Sequence, residues 1–182
     1  MIHLKNSGYV PKDAANLLSK ADELTRGVDA IVRDTRVSRR YLEFDVSIGK
    51  ERLQILVEKM RPLGELYDAR LVVEELFEKK EAIEKARLYF NNERFWECHE
   101  ILEGVWKKTY EGEKNLIQGI ILVAAAFVHY QKNENNISLS IFRRALEKIE
   151  KTTGKYHDID IDDLRNKVLN MITSEKIETF MI

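Results

Sequence analysis

The sequence predicts an α+β protein in which a small mixed domain, residues 1–73, precedes an all-α bundle domain, residues 74–182. The spacing of apolar residues changes period several times in the first part, whereas strand patterns almost vanish after Val73. The chain has only two prolines, and both lie in its first third. The remainder is therefore expected to form long, uninterrupted helices.

Six elements are predicted in the first domain, in the order β-α-β-β-α-β. Apolar residues recur at helical spacing after Pro11, which suits a first helical turn, and again from Lys50 to Arg61. Two alternating segments predict a hairpin that turns near Ser38 and Arg39. The predicted strands are 2–4, 30–37, 41–48 and 66–73, and the helices are 11–27 and 50–61. This order is that of a ferredoxin-like domain, with both helices on one face of an antiparallel sheet.

Four long helices and a shorter fifth are predicted after residue 73. Asparagine and glycine residues of the kind found in turns separate them, and such short connections favour an antiparallel, up-and-down bundle. The predicted helices are 74–91, 95–110, 113–132, 137–152 and 163–173. The third is apolar nearly all round, which predicts a central position in the bundle or an oligomer interface that buries the excess.

Composition excludes several classes of protein. The 30 Lys and Arg residues balance 31 Asp and Glu residues, so we expect no nucleic-acid partner. The longest apolar run, residues 116–130, falls short of the ~20 residues that cross a bilayer. The single cysteine, Cys98, forms no disulfide within the chain, which suits a reducing compartment. We expect a cytoplasmic globular protein with no membrane partner, possessing enough apolar material for a packed core.

Candidate chemistry is concentrated in the helix that starts at Phe95. His99 and Glu103 are neighbours one turn apart in an H-E-x-x-E pattern, which is the zinc-protease H-E-x-x-H with a carboxylate in place of the second imidazole. Both groups ligate zinc, manganese or iron. The polar stripe of this helix comprises Trp96, His99, Glu100, Glu103 and Trp106.

A second helix offers a further imidazole. Gln118 and His129 are eleven positions apart, about three turns, so they lie along one side of the helix, and Asn133 would extend this polar line. The predicted metal ligands are His99, Glu103 and His129. Such a set leaves a coordination position for water, and Glu100 is the candidate catalytic acid or base.

The same residues also fit a structural role. A histidine beside a glutamate often makes only a hydrogen bond, and the indole N–H groups of Trp96 and Trp106 need acceptors, so the cluster could be a network that fixes helix register. A ferritin-like di-iron site is not predicted, because neither His99 nor His129 has a glutamate three residues before it.

Residues 90–106 carry the F-N and H-E-x-x-E-x-x-W elements, residues 116–120 carry the Q-G element, and an alanine-rich stretch continues to His129. Together these elements resemble the helical family known as domain of unknown function 309. The resemblance covers about residues 78–155. Its members are small prokaryotic proteins with an all-helical fold, commonly described as predicted metal-dependent hydrolases. The matching motif positions here are His99, Glu100, Glu103, Trp106, Gln118 and His129.

Two functions follow as hypotheses. The first is a metal-dependent hydrolase of a small-molecule substrate, and the second is a non-catalytic binding or assembly protein whose first domain recognises a partner. Whether the protein is an enzyme stays open at this point. An exposed edge strand of the predicted sheet could also pair with a second copy of the chain.

Three other features are interpreted as structural. The acidic run from Asp158 resembles the start of a calcium loop but lacks its glycine and terminal glutamate, so it predicts an extended approach to the last helix with Asp162 as the N-cap. His3 and His157 are expected at the surface. The hairpin arginines, Arg33, Arg36, Arg39 and Arg40, are expected to be solvated rather than to bind RNA.

Overall fold

The computed structural model describes residues 1–73 and 77–182. The chain divides into two compact units, which we name the sheet unit, Met1–Val73 with Gln131–Asn133, and the helical unit, Glu74–Tyr130 with Glu134–Ile182. The first contains a four-stranded antiparallel sheet and the second is mainly helical. The predicted α+β class is confirmed.

The sheet unit has the predicted element order. Its strands are β1 (Ile2–Lys5), β2 (Ala30–Val37), β3 (Tyr41–Ile48) and β4 (Leu66–Ala69), and its helices are α1 (Ala14–Leu24) and α2 (Leu53–Met60). The strands are antiparallel and lie in the order β2-β3-β1-β4. Strand β4 was predicted to reach residue 73, but it ends at Ala69, which pairs with Ile2 at the start of β1.

One face of the sheet forms the core of this unit. Ile2 and Leu4 of β1 lie beside Leu42 and Phe44 of β3, and all four are buried. The helices cover this face with a further set of buried side chains, Leu17, Ala21, Leu56 and Met60. The alternation of side chains along each strand therefore places His3 and Glu43 on the opposite face.

His3 and Glu43 belong to a buried charged network. Glu43 accepts a hydrogen bond from His3 Nε2 at 3.0 Å and is ion-paired with Arg36, which also contacts Asp34 at 2.9 Å. Burial raises the pKa of Glu43, but the charge of Arg36 and the hydrogen bond from His3 lower it to about 2. The predictions of a surface His3 and a solvated Arg36 were wrong, because the strand register pairs both residues with Glu43.

A short turn from a distant part of the sequence completes the sheet unit. The Val37 N–H at the end of β2 donates to the carbonyl of Gln131 at 3.0 Å, and Lys132 Nζ lies 3.2 Å from Asp34 Oδ1. Residues 131–133 thereby supply both a backbone acceptor and a cation to strand β2.

The helical unit contains α3 (Lys79–Asn91), α4 (Phe95–Lys107), α5 (Glu111–Tyr130), α6 (Asn135–Ile149) and α7 (Ile161–Ser174), with a hairpin of β5 (Lys155–Tyr156) and β6 (Ile159–Asp160) before α7. Each helix contacts the next along the chain. The first helix was predicted from residue 74, but it starts at Lys79, and residues 74–76 lie outside the described part of the chain. Within that part, no helix is long and apolar enough to span a membrane.

Aromatic side chains form the centre of the helical unit. Phe95 stacks on Phe127 with ring centroids 4.6 Å apart, and Phe90 and Phe142 meet this pair edge-on. Phe180, from the segment after α7, lies 5.4 Å from Phe127 and closes the cluster.

The acidic run before α7 builds a hairpin and a helix cap. His157 and Asp158 form its turn with positive φ values of 45° and 64°. Asp160 caps α7, because its Oδ1 accepts the Asp163 N–H at 3.0 Å. The prediction of Asp162 as the cap was wrong: its carboxylate accepts from the Gly154 N–H and from Arg165 instead. His157, expected at the surface, is half-buried.

Candidate functional site

Helix α4 has one buried face and one partly exposed stripe. Its apolar positions, Phe95, Cys98, Leu102 and Val105, are buried in the aromatic core. Burial also raises the pKa of the Cys98 thiol, which makes this cysteine a core residue rather than a nucleophile. The neighbouring stripe, which carries the candidate polar residues, stays within reach of solvent.

His99 lies between two carboxylates on this stripe. Its Nδ1 is 3.2 Å from Oε1 of Glu100, and its Nε2 is 4.0 Å from Oε1 of Glu103. The side chains of His99, Glu100 and Glu103 are 29%, 49% and 35% exposed. The helical spacing thus brings these three residues together, and all three can meet a solute.

His129 lies on the least buried line of α5. Between residues 116 and 129 of this helix, half-buried residues recur at helical spacing: Gln118, Leu122, Ala125 and His129. Gln118 and His129 therefore share one side of the helix, at opposite ends of a mainly apolar strip.

Glu134, rather than Asn133, is the polar neighbour of His129. Helix α5 ends at Tyr130, and Asn133 adopts a left-handed conformation with φ of 64°, so it does not continue the helical line. The chain turns back there, and Glu134 Oε2 lies 2.5 Å from His129 Nδ1. Helical spacing did not predict Glu134, because that spacing no longer applies beyond the end of a helix. The only sequence signal was the polar segment 133–136 that follows the apolar helix.

The two tryptophans differ in their surroundings. Trp96 is half-buried near the start of α4. The Trp106 Nε1–H is buried and has no hydrogen-bond partner within the described residues, while Lys114 Nζ lies 4.7 Å from the centroid of its ring. A network whose purpose is to satisfy buried donors would provide Trp106 with an acceptor.

The predicted ligands thus form two histidine–carboxylate groups, one on α4 and one at the end of α5. Among the described residues, no group of three ligand atoms within 4.8 Å of one another contains His99, Glu103 and His129. Each histidine contacts a carboxylate through Nδ1, to Glu100 in one group and to Glu134 in the other. That arrangement leaves Nε2 as the nitrogen that can accept a proton or a metal ion.

In chemical type the donors fit a divalent metal. Imidazole nitrogen and carboxylate oxygen ligate zinc, manganese and iron, and histidine ligands of such ions usually donate their other N–H to a carboxylate or carbonyl. Both groups are partly exposed, so solvent reaches each of them.

Comparison with protein families places these residues in one recognised segment. Residues 83–141 match the model of a family described as Domain of unknown function (DUF309). The predicted resemblance is confirmed over this segment, which spans about a third of the chain and contains every candidate site residue. A search of curated proteins found no match.

Proposed function

We propose that this protein is a metal-dependent hydrolase of a small-molecule substrate. In this proposal His99 and Glu103 of α4 and His129 of α5, which do not bring three ligand atoms within 4.8 Å of one another here, draw together around one divalent ion, such as zinc, manganese or iron. Glu100 is the catalytic acid or base. When bound, the ion lowers the pKa of a coordinated water and so supplies a nucleophile near neutral pH. The single buried Cys98 suits a cytoplasmic location for such an enzyme.

The observation that carries the proposal is the orientation of the two histidines. Both contact a glutamate through Nδ1, and His99 turns its Nε2 towards Glu103 at 4.0 Å. A histidine that only fixes helix register has no need of a second carboxylate on its other nitrogen. The pairing of one imidazole with carboxylates on both sides therefore supports a ligand role.

Glu100 is suited to move a proton. Its carboxylate is about half exposed and lies 3.2 Å from His99 Nδ1, so it is held in place yet open to solvent. The exposure of Glu100 supports its assignment as the group that exchanges protons with water or substrate.

The alternative is a non-catalytic binding or assembly protein in which the cluster is a hydrogen-bond network and the sheet unit recognises a partner. Two observations count against the network. The histidine and glutamate side chains are about one-third exposed or more, and the Trp106 Nε1–H lacks a partner among the described residues.

Metal content separates the two functions. We would expose untagged wild type, His99→Ala, His129→Ala and the control His157→Ala to zinc, manganese and iron, and measure bound metal by elemental analysis. The proposal expects about one ion per chain in the wild type and the control. The other two variants should lose that ion while keeping the unfolding midpoint of the wild type without metal.

Other outcomes assign the residues differently. Loss of metal in His99→Ala alone would remove His129 from the ligand set. No metal in the wild type, together with reduced stability of both variants, would favour the network. If metal binds, Glu100→Gln should retain it and lose turnover in a hydrolase substrate screen, which separates the proposed acid or base from the ligands.

A further inference from the structure

We infer that Glu134 is a positioning residue for His129: it holds the imidazole in the tautomer that carries its proton on Nδ1 and leaves Nε2 as a free acceptor. The inference rests on the proposed function only in its last step, in which Nε2 meets the divalent ion.

The backbone fixes Glu134 beside His129. After α5 ends at Tyr130, the left-handed Asn133 reverses the chain, and the Glu134 N–H donates to the carbonyl of His129 at 2.9 Å. The carbonyl of Glu134 accepts the Ser138 N–H at 2.9 Å at the start of α6. Both backbone groups of Glu134 are therefore bonded, one to each helix, and its side chain starts next to the imidazole.

The chemistry of the pair selects one tautomer. An ionised carboxylate only accepts hydrogen bonds, so Glu134 Oε2, 2.5 Å from His129 Nδ1, requires the proton on that nitrogen. A neutral imidazole carries one N–H, and its other nitrogen then has a free lone pair. The position of the proton on His129 is thus set by Glu134, the residue immediately before α6.

Stability alone does not account for this pair. The side chains of His129 and Glu134 are 33% and 35% exposed, so water can satisfy either group when the other is removed. A pair of side chains this accessible to water contributes little to folding. A role in stability predicts a small effect on unfolding and no particular tautomer, whereas a positioning role predicts a change of tautomer in a protein that is as stable as before.

The first test is nitrogen-15 NMR of the histidine rings at a pH where His129 is neutral, established by titration of its ring proton signal. We would compare wild type, Glu134→Ala and the control Glu147→Ala, an exposed glutamate on α6. The wild type and the control should show His129 mainly as the Nδ1–H tautomer, and Glu134→Ala should show a majority of Nε2–H. An unchanged tautomer ratio in Glu134→Ala would overturn the inference.

The second test measures zinc affinity of the same three proteins. Loss of a carboxylate that orients a ligand typically weakens metal binding 10- to 100-fold, and we expect a loss in that range for Glu134→Ala with an unchanged unfolding midpoint. If zinc binds the wild type and Glu134→Ala equally, the link from Glu134 to the metal fails. If the tautomer shifts but the wild type binds no metal, the positioning role stands and the proposed function fails.

Discussion

Gly119 of α5 lies so close to Ile149 of α6 that a Cβ at position 119 would come within 2.3 Å of Ile149 Cγ2. The same Cβ would be 3.2 Å from the Cβ of Lys148. A glycine inside a helix costs about 1 kcal/mol relative to alanine. Here the absent side chain lets two helices pack closely, which gives a structural reason for the glycine of the Q-G element.

Gly119→Ala should destabilise the protein. The clashing atom is a methyl on a branched Cβ, which cannot rotate away as the far end of a flexible chain would. We expect overpacking to exceed the gain in helix propensity, for a net loss of about 2 kcal/mol in the free energy of unfolding. Denaturant unfolding measures this loss.

Gly104→Ala is the matched control, since Gly104 lies inside α4 and an added Cβ meets no atom within 4 Å. This variant should gain about 0.5–1 kcal/mol. Equal effects of the two substitutions would show that the packing of α5 on α6 is not what requires glycine.

Asp160→Ala should destabilise the protein by about 1 kcal/mol, because the Asp163 N–H loses its capping acceptor. Asp160→Asn keeps a side-chain oxygen at the N-cap and should remain within a few tenths of a kcal/mol of the wild type. Thermal unfolding of the two variants tests the cap, and equal losses would mean that the charge of Asp160, rather than its hydrogen bond, stabilises α7.

The buried carboxylate of Glu43 should make stability depend on pH in the acid range. Its pKa is about 2 in the folded protein, below its ordinary value near 4.5. The depressed pKa means that the stabilisation by Glu43 is fully present above pH 4.5 and is lost as pH falls towards 2.

The variant Glu43→Gln tests this dependence. At pH 7 it should be less stable than the wild type by several kcal/mol, because Arg36 loses a buried partner. The difference between the two proteins should shrink between pH 4.5 and 2, as measured by denaturant unfolding at each pH. A difference that stays constant over this range would contradict the assigned ionisation.

Cys98 should not react with thiol reagents while the protein is folded. Its side chain is fully buried and its thiol pKa is raised, so little thiolate forms and none of it is accessible. A chromogenic aromatic disulfide should label about one thiol per chain in denaturant and almost none in buffer. Rapid labelling of the folded protein would show that the core around α4 opens readily.

Strong periodicity made much of the fold predictable from the sequence. The hairpin strands 30–37 and 41–48 were predicted with the observed ends because alternating residues stop at a polar turn. The end of β4 was not predictable, since its apolar sequence continues to residue 73 while its pairing stops at Ala69. The length of a strand depends on its neighbour as well as on its own residues.

In the candidate site, too, contacts within one element were predictable and contacts between elements were not. Helical spacing predicted that His99 and Glu103 would be neighbours, because both lie inside one helix. It did not predict Glu134, which reaches His129 through a left-handed turn between helices. Nor did it predict the burial of His3, because a four-residue strand shows alternation without showing which faces are covered.

The three residues 131–133 have a consequence for dissecting this protein. The chain leaves the sheet unit at Val73, re-enters it for one turn and leaves it again, so no single cut in the gene yields both units whole. A fragment of residues 1–73 would expose the Val37 N–H and remove Lys132 from Asp34. An experiment that separates the two units, or a recombination event that exchanges one of them between related genes, must therefore keep residues 131–133 together with the sheet to which they are bonded.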